Sequence, residues 1–411
     1  MDRNRIARTL GALGLVAALA VAQKPVQAQT PVKWRLVGQL ELPQGERVGP
    51  LTVSPFGELV AGTAWDGETR FTGRIWSLND GLQVSALEES FQALLEIDFG
   101  QSLWDPITMA APVYAHGRRE FRTWSIADGA LTRTVTFDGD VLANDVLYDP
   151  FRAGFIVSQD FGSLLVFSDA GEPISSIEVD PMRPHRGLQL SNDGALLVVN
   201  SASFTLTAPM SGLPYRCADV LCAEAYHDVP GSYGPYEALL AFDPQGLRVA
   251  TLPEVDPERA GLQNGPFRAV SEPTIRVWTD VRAWVSEARP EVELSGFRSP
   301  PVWGQFAADG MQLLTLEDAG HLAIWDMTQG ARVFQLDAAD GDGIVAARFI
   351  PNSTTLFVSW ASGVSRIVDT ERGATIQTLP QPSADAVVSP DGRTLITYSV
   401  GEAPARIWRR R

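Results

Sequence analysis

The C-terminal stretch SPDGRTLITYSVGEAPARIWRRR (Ser389 to Arg411) contains a tight turn, an apolar strand, a looser segment and a second strand. The same order occurs seven times earlier in the chain, and there it continues into one further strand. The last unit therefore needs a strand from elsewhere in the chain. Where that strand comes from decides the fold.

The repeat is defined by a turn followed by an apolar strand. Asp-Gly and Asn-Asp-Gly accept the positive φ of a tight hairpin, and a short apolar strand precedes each turn. Self-similarity at a period of about 40 to 50 residues is typical of propellers and solenoids. The openings are SPFGELV at Ser54, DFGQSLW at Asp98, DPFRAGF at Asp149, SNDGALL at Ser191, DPQGLRV at Asp243, AADGMQL at Ala308, IPNSTTL at Ile350 and SPDGRTL at Ser389.

A third strand follows each of these hairpins, although the fourth unit has only FTLTA there, and a glycine-containing turn and a fourth strand come after it. Four short antiparallel strands cannot bury both of their faces alone, so the units are expected to stack side by side in a closed ring. The third strands read GRIWSL (73–78), FRTWSI (121–126), LLVFSD (164–169), FTLTA (204–208), IRVWTD (275–280), LAIWDM (322–327), SRIVDT (365–370) and ARIWRR (405–410).

The unit FAADGMQLLTLEDAGHLAIWDMTQGARVFQL (306–336) resembles the repeat of the WD40-type β-propeller family. It has the turn, Asp318 between the second and third strands, and the pair Trp325-Asp326. The family's Gly-His before the first strand is missing, and Gly320-His321 precedes the third strand instead. The family's buried Asp-His-Ser/Thr-Trp network is therefore expected to be absent or replaced.

The resemblance implies an all-β fold: an eight-bladed propeller of four-stranded antiparallel blades over residues 33–411. Seven blades are the alternative, because the fourth unit is irregular. Residues 33–42, KWRLVGQLEL, have nothing of their own to pair with. Because an exposed apolar strand tends to pair with another strand, we expect residues 33–42 to complete the last blade beside 405–408. The alternative is a disordered N-terminal arm.

The first 28 residues have the pattern of a secretory signal peptide. Three arginines precede an apolar run over 10–22, and Val26-Gln27-Ala28 is a small-x-small cleavage site. A membrane span would need roughly 20 apolar residues, and Gln23 and Lys24 end this run early. The sequence therefore predicts a bacterial protein that is periplasmic or secreted and has no membrane span after cleavage.

The protein is strongly acidic. Its net charge is −16, and the first 28 residues carry +3, so the remainder carries −19. Such a surface repels phosphate backbones, which argues against nucleic-acid binding, and it favours solubility and basic partners. Lys33 is the single lysine after the cleavage site, which leaves almost no candidate for Schiff-base chemistry.

The two cysteines, Cys217 and Cys222, lie five residues apart. In an oxidising compartment this spacing favours a local disulfide. Because the loop that it would close is very short, the entropic stabilisation is small. Zinc binding is the weaker interpretation, since only His227 lies nearby in the sequence and zinc requires more ligands.

Two long loops are the candidate binding site. In the family that the chain resembles, both would project from the face formed by the loops after the second and fourth strands, and propellers bind partners through such loops. Tyrosine and arginine dominate binding hot spots. The alternative is that both loops are tolerated insertions. The loop over 209–235 carries Tyr215, Arg216, Tyr226, His227 and Tyr233, and the loop over 253–273 carries Glu254, Asp256, Phe267 and Arg268.

Other signals for chemistry are few. The run DAADGDG (337–343) could supply calcium ligands from Asp337, Asp340 and Asp342, but it lacks the EF-hand spacing, and a plain acidic turn is favoured. The tryptophans of the third strands are interpreted as packing between blades. The terminal arginines 409–411 are interpreted as a solvated end that could pair with acidic loops.

No GxSxG, HExxH, phosphate-binding glycine loop or CxxCH motif occurs. The sequence thus predicts a non-catalytic, monomeric scaffold without a cofactor that binds a protein or peptide. The alternatives are a propeller hydrolase or lactonase with a metal in the channel, and a sensor that binds a small ligand there.

Overall fold

The structure is a computed structural model. The predicted signal peptide lies outside the residues that it describes. The described residues form strands and turns, and no helix among them is long and apolar enough to cross a membrane. They are 33–54, 57–65, 71–86, 96–99, 113–116, 120–124, 130–137, 143–149, 154–159, 164–168, 170–177, 185–190, 196–201, 205–209, 232–233, 237–243, 248–253, 273–279, 289–338, 341–399 and 404–411.

The strands form four-stranded antiparallel sheets, each built from strands that follow one another in the chain. Sheet 1 contains β2 (Arg47–Val53), β3 (Leu59–Trp65), β4 (Phe71–Ser77) and β5 (Gln83–Ala86); sheet 2 contains β6 (Glu96–Phe99), β7 (Val113–His116), β8 (Glu120–Trp124) and β9 (Leu131–Thr136); sheet 3 contains β10 (Ala143–Asp149), β11 (Gly154–Gln159), β12 (Leu164–Ser168) and β13 (Pro173–Ile177); sheet 4 contains β14 (His185–Leu190), β15 (Leu196–Ser201), β16 (Thr205–Pro209) and β17 (Ser232–Tyr233).

The second half of the chain repeats this order, except that the last sheet takes one strand from the N-terminal end. Sheet 5 contains β18 (Glu237–Phe242), β19 (Val249–Pro253), β20 (Ile275–Trp278) and β21 (Val292–Leu294); sheet 6 contains β22 (Pro301–Phe306), β23 (Gln312–Glu317), β24 (Leu322–Asp326) and β25 (Ala331–Leu336); sheet 7 contains β26 (Ile344–Phe349), β27 (Thr355–Trp360), β28 (Ser365–Asp369) and β29 (Ala374–Leu379); sheet 8 contains β30 (Asp385–Val388), β31 (Thr394–Tyr398), β32 (Arg406–Arg410) and β1 (Trp34–Gln39).

The sheets are the blades of a β-propeller. Each sheet contacts the next one in the chain, and the last sheet contacts the first. First strands contact one another across neighbouring sheets, so they are the innermost strands and line the central channel of the ring. Examples of these contacts are β2 with β6, β10 with β14, β18 with β22, β26 with β30, and β30 with β2.

The core of the propeller lies between neighbouring sheets, and the third-strand tryptophans belong to it. Trp325 is buried among side chains of sheets 5 and 6, including Ile275 and Phe297. Trp408 packs with Phe357 and Ile367 of sheet 7. Packing between blades, which the sequence predicted for these tryptophans, is thus what the described side chains show.

Three of these indoles are hydrogen-bonded to a threonine of the second strand in the same sheet. Each threonine lies two residues after the residue that faces the tryptophan in the register. In these three sheets, the buried indole N–H is therefore satisfied by a threonine hydroxyl of the same sheet. The pairs are Trp278 Nε1 to Thr251 Oγ1 at 2.9 Å, Trp325 Nε1 to Thr315 Oγ1 at 3.0 Å, and Trp408 Nε1 to Thr397 Oγ1 at 3.0 Å.

In two sheets whose third strand lacks the tryptophan, the second strand also lacks the threonine. In sheet 7, Val368 stands in the tryptophan position and Val358 in the threonine position. In sheet 3, Phe167 and Val157 occupy the two positions. A buried hydroxyl without a partner is destabilising, so a valine is the residue that fits when the indole N–H is missing.

In sheet 1 the N–H of the third-strand tryptophan has a different hydrogen-bond acceptor. Gly62 stands at the threonine position, and a Cβ there would lie 2.7 Å from the carbonyl oxygen of Pro50. Trp76 is fully buried, and its Nε1 donates at 2.7 Å to the carbonyl oxygen of Glu41, in the segment that leads from β1 to β2. The indole thereby connects sheet 1 to the closing segment.

Strand β1 closes sheet 8. Trp34 faces Arg410 and Gln39 faces Arg406 in the antiparallel register with β32. Trp34 is 4% exposed and packs with side chains of sheets 7 and 8. The strand expected from residues 33–42 is therefore paired in the structure, and its indole is buried between the last two sheets.

Contacts from neighbouring sheets hold β1 on both sides. The amide side chain of Gln377 in sheet 7 accepts from the Trp34 N–H and donates to the Trp34 carbonyl, both at 2.8 Å. On the other side, the amide of Glu41 donates at 3.0 Å to the carbonyl of Gly81 in sheet 1. The Arg409 guanidinium donates at 2.8 Å to the carbonyl of Leu78.

Six of the outermost strands contain a one-residue bulge next to the tryptophan position of the third strand. A bulge twists a free edge away from regular pairing, which protects the ring from edge-to-edge association. The bulged residues are all β-branched: Val37, Val84, Thr132, Ile174, Val333 and Ile376.

Replacing the buried indole of β1 should strongly destabilise the protein. Trp34→Ala should lower the free energy of unfolding by about 3 to 5 kcal/mol, as for other large-to-small core changes. Val37→Ala, on the same strand but 51% exposed, should change it by less than about 0.5 kcal/mol. Chemical denaturation measures both. Equal effects would mean that β1 is not packed between the last two sheets.

The threonine and tryptophan should be energetically coupled. Thr315→Val should cost about 1 to 3 kcal/mol, because it leaves the buried N–H of Trp325 without an acceptor. In a Trp325→Phe background the same change should cost much less, as the phenylalanine and valine of sheet 3 suggest. A double-mutant cycle in urea measures the coupling, and an equal cost in both backgrounds would contradict it.

Candidate binding face and channel wall

Most residues of the predicted binding site lie outside the part of the chain that the structure describes. Tyr233 is an exception. It lies in the two-residue outer strand β17, where its backbone is paired with Leu206, so part of the first long loop serves as the outer strand of sheet 4. The site itself stays a prediction. The residues outside the described part are Tyr215, Arg216, Cys217, Cys222, Tyr226, His227, Glu254, Asp256, Phe267 and Arg268.

The loops after the second and fourth strands of sheets 5 to 8 are described and form one face, here called the loop face (295–300, 318–321, 337–338, 341–343, 361–364 and 380–384). Glu317 holds two of these loops together. Its carboxylate is buried and accepts from the amides of Arg298 at 2.8 Å and Ser299 at 2.7 Å. The Ser299 hydroxyl in turn accepts from the amide of Ala319 at 3.0 Å.

Asp342 holds the next pair of loops. Its two carboxylate oxygens accept from the amide and the hydroxyl of Ser362, both at 2.8 Å. Backbone passes closely beside it: a Cβ on Gly320 would lie 2.6 Å from the Cα of Gly343. Only glycine fits this approach, and the loops of sheets 6 and 7 are therefore locked against each other.

Asp337 lies in an ion pair on the same face. The Arg298 Nη1 is 3.0 Å from its carboxylate. A hydrogen bond from the Gln335 amide, together with the charge of Arg298, holds the pKa of Asp337 below its ordinary value. The His321 Nδ1 accepts from the amide of Ala338 at 3.2 Å.

The calcium interpretation of 337–343 gains no support from these contacts. Asp337 and Asp342 are bound to different partners, and Asp340 lies outside the described residues. Among the described residues, no group of three or more His, Cys, Asp or Glu side chains could hold a metal ion.

Inside the ring, Arg348 joins three neighbouring first strands. It lies on β26, with its guanidinium carbon 4.8 Å from the ring centre of Trp303 on β22. Its Nη2 donates at 2.7 Å to the carboxylate of Asp385 on β30. Since first strands line the channel, these three residues form a half-buried polar and aromatic section of its wall.

Tyr398 extends this section toward sheet 1. Its hydroxyl donates at 3.4 Å to Asp385, and the backbone of Leu51 is hydrogen-bonded to the phenol. Burial, and next the negative charge of Asp385, raise the pKa of Tyr398 to about 12. We call Trp303, Arg348, Asp385 and Tyr398 the channel wall cluster. Sequence analysis missed it because its members come from four separated strands.

Apolar side chains flank this cluster. Val302 and Val345 are the extra residues of bulges in β22 and β26, and they are 56% and 47% exposed. Val364 on the loop face is 36% exposed. A bulge re-aims a side chain away from the regular pleat, and here it leaves valines in solvent at equivalent positions of two neighbouring sheets.

Comparison with known proteins identifies the fold and no family. No family model matches the chain, and no curated protein matches it. Among solved structures, the chain is similar to the crystal structure of the computationally designed Ika8 protein, with 14% sequence identity and a TM-score of 0.60. The similarity covers 90% of this chain and 98% of the designed one. At this identity it indicates a shared fold alone.

Tyr398 should ionise later than an ordinary tyrosine. Because its pKa is raised in the folded protein, the neutral phenol adds stability below pH 10, and this contribution is lost as the pH rises from 10 to about 12. The tyrosinate absorbance of wild type minus that of Tyr398→Phe should show one late transition. Asp385→Asn should move this transition part of the way toward pH 10, because it removes the negative charge but leaves the burial of the phenol. A transition that stays in place would contradict the contribution of the Asp385 charge.

Proposed function

We propose that the protein is a non-catalytic, exported scaffold that binds a protein or peptide through the loop face. The observation that carries the proposal is the locking of this face by side chains. Glu317, Asp337 and Asp342 are each committed to hydrogen bonds or an ion pair between loops. Carboxylates held in this way support a rigid platform, and a pre-organised platform loses little entropy when a partner binds.

The apolar side chains beside the channel supply contact area on this platform. Val302 and Val345 are exposed on β22 and β26, the strands that carry Trp303 and Arg348, and Val364 is exposed on the loop face. Interfaces combine an apolar centre with a polar rim, and this part of the ring offers both. The two long loops of sheets 4 and 5, with their tyrosines and arginines, are proposed to complete the site.

Further features belong to the same proposal. We infer one ring of eight blades, because eight four-stranded sheets follow each other with contacts from each to the next. We also infer a WD40-like repeat, cleavage after residue 28, a periplasmic or secreted location, a Cys217–Cys222 disulfide and a monomer. These inferences rest on the sequence patterns, with support for the repeat from the threonine–tryptophan pairs.

A small ligand in the channel is the second candidate function. The channel wall cluster favours it, since an arginine stacked on an indole and paired with a carboxylate offers aromatic and polar contacts together. A ligand that raises the melting temperature of wild type but not of Trp303→Ala would support this candidate.

Affinity capture from the native envelope and periplasmic fraction tests the proposed function. The first bait is the mature protein, and the second has residues 254–272 replaced by a short Gly-Ser turn. A protein retained by the first bait should be lost from the second, because the replaced loop belongs to the proposed site. Amine crosslinkers are unsuitable, since Lys33 is the single lysine of the mature chain.

The matched control for this capture is Leu82→Ser with Met311→Ser. Both side chains are exposed on turns at the opposite ends of the strands from the loop face. This control should retain the partner. The same set of proteins on all three baits, or none on any of them, would contradict binding through the loop face.

A further inference from the structure

Basic residues gather where the chain closes the ring. Arg35 faces Arg409 directly across the pairing of β1 with β32. The Arg411 amide donates to the carbonyl of Lys33 at 3.1 Å, and the Arg410 amide donates to the carbonyl of Arg393 at 3.0 Å. We call this group the basic corner. It consists of Lys33, Arg35, Arg393, Arg409, Arg410 and Arg411.

The charges of the corner are largely unneutralised. Within the described part of the chain, Lys33, Arg35, Arg410 and Arg411 make no ion pair. The carboxylate of Asp391 lies close to two residues of the corner, since the charges of Arg393 and Arg409 act on it. Burial alone would raise its pKa, but hydrogen bonds from Ser389 and the Arg393 amide, and the charges of Arg393 and Arg409, keep the pKa of Asp391 low. Asp391 thus offsets part of the charge of Arg393 and Arg409.

This arrangement is unfavourable for the fold alone. Like charges directly opposite in neighbouring strands are destabilising, and Arg35 and Arg409 are such a pair. The protein carries a net charge of −16, so acidic residues are abundant elsewhere and are not used to neutralise the corner. A ligand with several negative charges would remove the repulsion.

Exposed aliphatic side chains lie on the same strand as the charges. Leu36 is 39% exposed and Val37, the bulged residue, is 51% exposed. They follow Arg35 directly in the sequence. A surface that combines basic side chains with exposed aliphatic ones matches the interface of an anionic bilayer, where charges meet headgroups and apolar side chains meet acyl chains.

The free edge of β1 is not suited to adding another strand. Gln377 already binds the outward N–H and carbonyl of Trp34, and the bulge at Val37 interrupts the edge. An acidic peptide would therefore have to bind through side chains alone and would leave Leu36 and Val37 unused.

We propose that the basic corner, with Leu36 and Val37, is a docking surface for a bilayer that contains anionic phospholipid. The corner lies at the opposite end of β1 from the loop face, about 20 Å away for six residues of strand. Docking there leaves the loop face open to a partner.

Vesicle co-sedimentation tests this proposal with the protein as it is isolated from cells. Wild type should bind vesicles of phosphatidylglycerol and phosphatidylcholine, bind vesicles of phosphatidylcholine alone far less, and be released by salt. Arg35→Gln with Arg410→Gln and Arg411→Gln should weaken binding by about 100-fold, because each basic residue near an anionic membrane contributes about fivefold. Both proteins are prepared in the same way, so they have the same N-terminus.

The matched control is Arg276→Gln with Arg289→Gln and Arg332→Gln. It changes the net charge by the same amount at positions in and next to sheets 5 and 6 that lie outside the loop face, and it should bind as wild type does. An equal loss in both triple variants, or no binding of wild type to anionic vesicles, would overturn the proposal. So would binding to poly-glutamate without binding to vesicles, which would assign the corner to an acidic protein.

Discussion

The antiparallel pairing of β1 with β32 is the contact on which the other features of the ring depend. Without it, sheet 8 would have three strands, and the interface between sheets 7 and 8 would lose the indole of Trp34. The side chain of Gln377 and the carbonyl of Gly81 then fix β1 to the sheets on either side. Because β1 leads directly into sheet 1, this pairing links the last sheet to the first through the backbone.

Inside the ring, a small set of substitutions decides how each sheet packs on its neighbour. In sheets 5, 6 and 8 the indole of the third strand is matched by a threonine, and in sheet 1 by a backbone carbonyl. In sheets 3 and 7 a phenylalanine or valine at that position is matched by a valine. The rule is physical, since a buried N–H needs an acceptor and a buried hydroxyl needs a partner. The sheets can therefore differ in sequence and keep one geometry.

Much of this architecture could be predicted from local patterns. Turns such as SPDG mark hairpins, and Gly392 has a positive φ of 68° where a Cβ would lie 2.0 Å from the carbonyl oxygen of Pro351. The unpaired apolar strand at 34–39 needed a partner. The channel wall cluster could not be predicted, because Arg348 and Asp385 meet only after two sheets pack. The same holds for the basic corner, because Lys33 and Arg35 come from the opposite end of the sequence from Arg393 and the terminal arginines.

A split-chain experiment tests closure most directly. The chain is produced from residue 43 onward, and a synthetic peptide of residues 33–42 is added while the melting temperature is followed. If β1 closes the ring, the shortened chain should melt well below the full one, and the peptide should restore stability in a saturable manner. A peptide with Trp34→Ala should restore much less. A shortened chain that melts like the full one, with no response to the peptide, would contradict closure by β1.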